Sequence, residues 1–306
     1  MTVPAIAWID DARGEERWAP PAELAIPLDD RGLLLGEGLF ETVLVEGGQP
    51  QLLGEHLERW REGAALLGLA PPPGRERVEG LLAEAVARSG IASGALRLNW
   101  SGGSGGPGHR GLEASPSPDG GPRERFWLQL TGGQPCFDPV RVVVSRWERR
   151  NGASRLSRCK TFAYGPQIQA RREARLAGVE EALLLGSDGN LSCGAAANLL
   201  VCMEGAWLTP PLSSGCLPGV MRARALELGL AYEANLGELT EAGLFSSSGA
   251  LLLNSLSCRP ISHLGKSRLG WPGQEPQSAE PASAGLIGAS SEAQALWQRL
   301  LGPGPG

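Results

Sequence analysis

The sequence predicts a mixed α/β fold, and three observations carry that reading. Short apolar and β-branched runs alternate with stretches whose apolar residues recur at helical spacing. Turn-forming Gly, Pro and Ser clusters separate them. With 306 residues and 42% hydrophobic content, the chain can fill one large or two medium cores.

The elements follow in order. Residues 6–10 and 39–45 read as strands, and Gly47-Gly48 is a turn signal that returns the chain over 51–53 as a hairpin. Residues 55–67 and 75–88 have helical apolar spacing. Residues 95–100 and 125–130 read as strands on either side of a Gly/Pro/Ser-rich loop, 101–122, whose length is that of a functional or a disordered loop. Residues 131–135 read as a linker. Beyond it come a β-branched strand at 140–145, a helix at 167–177, apolar strands at 181–185 and 198–202, a helix from Pro218 to about Leu228, and a strand at 250–253. Residues 270–290 are rich in Pro, Gly, Ser and Ala and read as a flexible connection, with 291–301 closing the chain as an amphipathic helix. The organisation expected is a smaller N-terminal α/β domain over 1–130, a linker at 131–136, a larger domain over 137–268, and a tail of Pro/Gly-rich segment and helix over 269–306.

Composition narrows the function. Net charge is −5 with both signs interspersed, which does not suit a nucleic-acid partner. No apolar run is long enough for a membrane span, and the first residues lack the apolar stretch of a signal peptide. Six cysteines without close or metal-type spacing, and three scattered histidines, point to free thiols in a reducing, cytoplasmic compartment and to no metal site.

One count is informative. Of 28 basic residues only two, Lys160 and Lys266, are lysine. Lysine can lose its proton and form a Schiff base or act as a base, which arginine cannot. Lys160 lies in Arg158-Cys159-Lys160-Thr161-Phe162-Ala163-Tyr164, before a helix, among cationic and apolar neighbours that favour the neutral amine. Leu217-Pro218-Gly219-Val220-Met221-Arg222 opens a helix with unused backbone N–H groups suited to a phosphate, Asn254-Ser255 adds donors after a strand, and Arg59 adds a cation. The run from Gly102 to Gly108 is no P-loop, for it lacks Gly-Lys-Ser/Thr, and no dinucleotide fingerprint, for it lacks the tight strand–GxGxxG–helix context.

Taken together, in this order, the motifs resemble the class IV pyridoxal-phosphate enzymes of fold type IV, which include branched-chain and D-amino-acid aminotransferases and aminodeoxychorismate lyases. The resemblance runs from about Ile26 to Ile261. It passes through Asp30-Arg31-Gly32, Gly36-Glu37-Gly38, Phe40-Glu41-Thr42, His56-Leu57-Glu58-Arg59, Lys160-Thr161, the stretch from Gly194 to Asn198-Leu199, Thr209-Pro210-Pro211, Leu217 to Arg222, Asn254-Ser255-Leu256 and Pro260-Ile261. It implies two α/β domains with pyridoxal 5'-phosphate between them, usually in a homodimer. Lys160 would hold the aldehyde. Arg59, Val220, Met221 and Ser255 would bind the phosphate, and Tyr164 would lie near the phenolic oxygen. The lyases are the nearest subgroup, because Ser101 to His109 is similar to one of their loops. Gly102 and Pro107 stand where that loop carries Arg, so Arg97 and Arg110 are the expected partners of substrate carboxylates. The family's Glu against the pyridine nitrogen is here Cys193, which weakens the electron sink. The resemblance thus implies a lyase that converts 4-amino-4-deoxychorismate to 4-aminobenzoate and pyruvate. The alternatives are an amino-acid aminotransferase of the same fold and a non-catalytic relative that keeps the fold.

Overall fold

A computed structural model describes residues 4–10, 15–104, 124–271 and 282–302. It divides into two compact units, Met1–Gln134 with Cys159–Ala163, and Pro135–Arg158 with Tyr164–Gly306.

The first unit holds strands β1 (Ala5–Asp10) and β2 (Glu16–Ala19), helix α1 (Arg31–Leu35), strands β3 (Gly38–Glu46) and β4 (Gln49–Pro50), helices α2 (Leu53–Leu67) and α3 (Arg75–Ser89), and strands β5 (Gly94–Ser101) and β6 (Arg125–Gly132). Its strands form one antiparallel sheet in the order β2-β1-β6-β5-β3-β4. α2 buries Leu53, His56, Trp60, Gly63 and Ala64, a stripe at helical spacing, and α3 buries Val78, Leu81, Leu82 and Ala85. Leu53, Trp60 and Ala64 of α2 and the four α3 residues meet Leu39, Val43, Leu96, Leu98 and Leu128 from the sheet in one core. Each fully buried Leu or Val stabilises the fold by ~1.5–3 kcal/mol. Gly68 and Gly90 end the two helices at φ of 71° and 70°, a conformation that glycine adopts without Cβ strain.

The hairpin return comes earlier than the sequence predicts. Gly47 and Gly48 both have positive φ, so the turn takes only those two residues and Gln49 pairs Glu46. Residues 51–53 are therefore not a strand, and Leu53 already begins α2.

The second unit contains β7 (Val140–Arg150), α4 (Gly165–Leu176), β8 (Glu181–Gly186), β9 (Leu191–Gly194), β10 (Asn198–Met203), β11 (Ala206–Thr209), α5 (Val220–Glu227), β12 (Tyr232–Glu233), α6 (Glu241–Ser246), β13 (Gly249–Asn254), β14 (Ser257–Leu264), β15 (Ser267–Arg268) and α7 (Ala282–Leu301). Its sheet runs β12-β11-β10-β13-β14-β7-β8-β9, and β9 also pairs β10 through Cys193 and Asn198. Strands β10, β13, β14, β7, β8 and β9 thus close into a ring. β8 is buried along its whole length, as its unbroken apolar run requires. The flexible connection expected over 270–290 is corrected from residue 282 onward. Ala282–Leu301 is one helix, because alanine favours helix more strongly than a linker. All six cysteines are free. Among the described residues no helix is long and apolar enough to cross a membrane.

Candidate active site

Lys160 owes its position to β3. Phe40 N donates to Lys160 O and Phe162 N donates to Gly38 O, both at 2.9 Å, and Leu39 bridges Thr161. Residues 160–162 thus lie as a short extra strand along the start of β3. The fit is close: a Cβ on Gly38 would come within 2.3 Å of the Phe162 ring. That ring lies 6.4 Å from Phe40 and 5.5 Å from Trp127, between ring centroids.

The period of two along β3 turns Leu39, Glu41 and Val43 toward α2 and Phe40 toward the other face. On that other face the Lys160 amine lies 4.3 Å from the centroid of Phe40, and the Arg97 guanidinium lies 3.7 Å from the same centroid. Arg97 Nε donates to Asn99 Oδ1 at 2.8 Å.

Toward α2, Glu41 is 1% exposed and is bonded from two directions. Arg59 donates Nε to Oε1 at 2.8 Å and Nη2 to Oε2 at 2.5 Å, and His56 meets Oε2 through Nδ1 at 2.7 Å. Burial raises the Glu41 carboxyl, but Arg59 and His56 outweigh it and hold it at about 2. His56 is pushed down chiefly by its own burial, with Arg59 and Lys160 adding to the effect. A neutral His56 donates from Nδ1 to the carboxylate. Lys160 is drawn down to about 7 by burial and by the Arg59 and Arg97 cations, against the pull of Glu41. The direction matches the sequence reading, but the responsible cations are Arg59 and Arg97 rather than Arg158.

Tyr164, Cys193, Val220, Met221 and Ser255 lie in the second unit. Tyr164 is the residue before α4. Cys193 ends the β9 pairing with β10 and is 6% exposed. Burial pushes its thiol up to about 11, against the nearby Arg150 cation. Arg150 is the basic neighbour that the local sequence does not reveal. It donates Nε to Gly215 O at 2.7 Å and Nη2 to Ser157 O at 3.3 Å, both neutral acceptors.

Val220 and Met221 begin α5. Asn198 donates Nδ2 to Leu217 O at 2.9 Å, and a Cβ on Gly219 would stand 1.9 Å from Asn198 Oδ1. The first bond of the α5 ladder is Ala223 N to Gly219 O, so the N–H groups of Val220, Met221 and Arg222 precede it. Asn254 sends Nδ2 to Ala196 O at 3.2 Å and thereby ties the 254–257 turn to the stretch after Cys193.

The structure therefore groups Arg59, Arg97 and Lys160 in one unit, and links the surroundings of Cys193, Val220, Met221 and Ser255 in the other. Arg110, like His109 and Pro107, lies outside the described residues. The sequence reading did not assign roles to Glu41, His56, Phe40 and Arg150. The readable signal was a carboxylate inside the apolar run of β3, together with His56 and Arg59 three residues apart on one helical face.

Residues 38–264 match the family model of class IV amino-transferases. The chain belongs to this family, and pyridoxal phosphate is its cofactor. It is 26% identical over 258 residues to a bifunctional aminodeoxychorismate lyase / D-amino acid transaminase of Mycobacterium tuberculosis, covering 75% of this chain and 82% of that one. It is also 26% identical over 226 residues to a D-alanine aminotransferase of Bacillus licheniformis, covering 69% and 74%. A fold IV-transaminase from Curtobacterium pusillum superposes with a TM-score of 0.75 over 98% of this chain and 99% of that one, at 24% identity, which identifies the fold.

Proposed function

We propose that this enzyme is an aminodeoxychorismate lyase, releasing pyruvate and leaving 4-aminobenzoate. The observation that carries the reading is the buried, neutral Cys193 thiol. A carboxylate beside a pyridine nitrogen keeps it protonated, whereas a thiol held at about 11 carries no charge at neutral pH. Transamination must reprotonate the cofactor's own carbon and depends heavily on that sink. Elimination that ends in an aromatic ring is downhill and tolerates a weaker one.

The residues suit the cofactor. Lys160, with its amine near 7, is partly neutral under ordinary conditions and can engage an aldehyde. In this reading the N–H groups of Val220 and Met221, the Ser255 hydroxyl and the Arg59 guanidinium would hold the phosphate, and Tyr164 would lie beside the cofactor. Bound there, pyridoxal phosphate supplies the sink for the electron pair left when a proton departs. Lys160 Nζ receives that proton from the amine-bearing carbon. Arg97 and Arg110 orient the substrate carboxylates, and Glu41 holds Arg59 in place. The assembly proposed is a homodimer and the compartment the cytoplasm, consistent with six free thiols.

Incubation with aminodeoxychorismate should release pyruvate and 4-aminobenzoate in equal amounts, and borohydride reduction of the resting enzyme should mark Lys160 rather than Lys266. A second reading, an amino-acid aminotransferase, is favoured by the similarity to a D-alanine aminotransferase. Much higher specificity for transamination of D- or branched-chain amino acids would replace the lyase reading with it.

A further inference from the structure

The final helix lies beyond the 38–264 span of the family match, yet two of its neighbours are the elements assigned to the phosphate. Trp297 on α7 is 2% exposed, and its Nε1 donates to Asn254 O at 3.3 Å. Asn254 immediately precedes Ser255. Its side chain is occupied at both ends: Nδ2 reaches Ala196 O at 3.2 Å, while Oδ1 accepts from Leu256 N at 2.8 Å and Ser257 Oγ at 3.1 Å. The indole N–H thus holds the backbone carbonyl of the residue that shapes this turn. The Trp297 ring also meets Phe137 edge-on, with centroids 5.4 Å apart.

At the other end, α7 is held by α5. Arg224 follows Val220 and Met221 by one turn, and it is buried. It donates Nη2 to Gly302 O at 2.8 Å and Nε to Leu300 O at 3.3 Å, with Glu227 bonded to Nη1 at 2.8 Å. Carbonyls at a helix C-terminus have no intrahelical donor and carry partial negative charge, so a buried guanidinium is a suitable partner.

We propose that Trp297 and Arg224 are positioning residues for the cofactor phosphate, acting through α7 to fix the start of α5 relative to the Ser255 turn. The inference rests on the assignment of Val220, Met221 and Ser255 to the phosphate. A phosphate binds tightly only when its donors converge at hydrogen-bond distance, and two separate elements converge reliably when a third is bonded to both. A buried indole N–H usually finds a partner, and here that partner is the carbonyl next to Ser255, so removing the donor while keeping the ring separates bracing from filling.

The test compares pyridoxal phosphate with pyridoxal, which lacks the phosphate, by titrating enzyme resolved of its cofactor. Trp297→Phe keeps the apolar ring and removes the donor, and Arg224→Gln removes the cation. Ser255→Ala reports on the phosphate assignment itself. Each of the first two variants is expected to lose roughly tenfold in affinity for pyridoxal phosphate, with pyridoxal changed less than about twofold, and with a shifted phosphorus resonance of the bound cofactor. Wild-type affinity for both ligands, or equal loss of both, overturns the proposal while Ser255→Ala still shows the phosphate-selective loss. If Ser255→Ala binds both ligands like the wild type, the phosphate assignment fails, and the positioning role fails with it.

Discussion

At the scale of single residues, the proposed lyase chemistry turns on what surrounds two ionisable groups. Lys160 is lowered to about 7 because burial and two guanidinium groups oppose its charge. Cys193 is raised to about 11 because burial outweighs Arg150. Replacing Cys193 with Glu would place a carboxylate near the Arg150 cation, which bonds the carbonyls of Gly215 and Ser157. Cys193→Glu is therefore expected to speed conversion of the bound cofactor to its pyridoxamine form by an amino acid, by roughly tenfold or more, since one pKa unit corresponds to about 1.4 kcal/mol. Elimination should gain less. The two rates, followed by absorbance in both proteins, check this; a native enzyme that already transaminates as fast as the variant would remove the weakened-sink account. The sequence draws attention to Lys160 because only two of its 28 basic residues are lysine. Glu41 was not, because its role depends on α2 folding back across β3, and no local pattern encodes that contact.

At the scale of elements, the start of α5 is tightly packed. The Gly219 Cα hydrogens face the Asn198 amide that holds Leu217 O. Gly219→Ala must push that amide away, losing a hydrogen bond worth about 0.5–1.5 kcal/mol and adding overpacking of about 1–3 kcal/mol. Thermal unfolding should show the stability loss, and affinity for pyridoxal phosphate should fall with it. Helices and central strands were readable because their periodicities are strong: 55–67 and 75–88 differ from α2 and α3 by at most two residues at either end. Two features escaped. The apolar pattern puts the β4 return too late, because the two-glycine turn is tighter than that pattern suggests. The first half of α7 reads as a linker because its Ala, Gly and Ser residues are common to both linkers and weakly amphipathic helices.

At the scale of the whole molecule, the buried Glu41–His56–Arg59 group links stability to pH. The folded Glu41 carboxyl stands at about 2, below its ordinary 4.5. Its contribution is therefore fully present above about pH 4.5 and is lost as pH falls toward 2. The native protein should lose stability across that window. Glu41→Gln should flatten the acid limb and lower stability at neutral pH by about 3–5 kcal/mol, because Arg59 loses its buried partner. Denaturant titrations at several pH values would check both; an unchanged acid limb in the variant would assign acid unfolding to other carboxylates. The seating of residues 159–163 within the first unit also bears on how the chain is made. During translation the first 134 residues leave the ribosome without the segment that pairs the start of β3. Phe40 N and Gly38 O then lack the bonds that Lys160 O and Phe162 N supply until synthesis has passed Phe162. A fragment ending at residue 134 should therefore expose a bare strand edge and self-associate, whereas one extended past residue 163 carries its own cover.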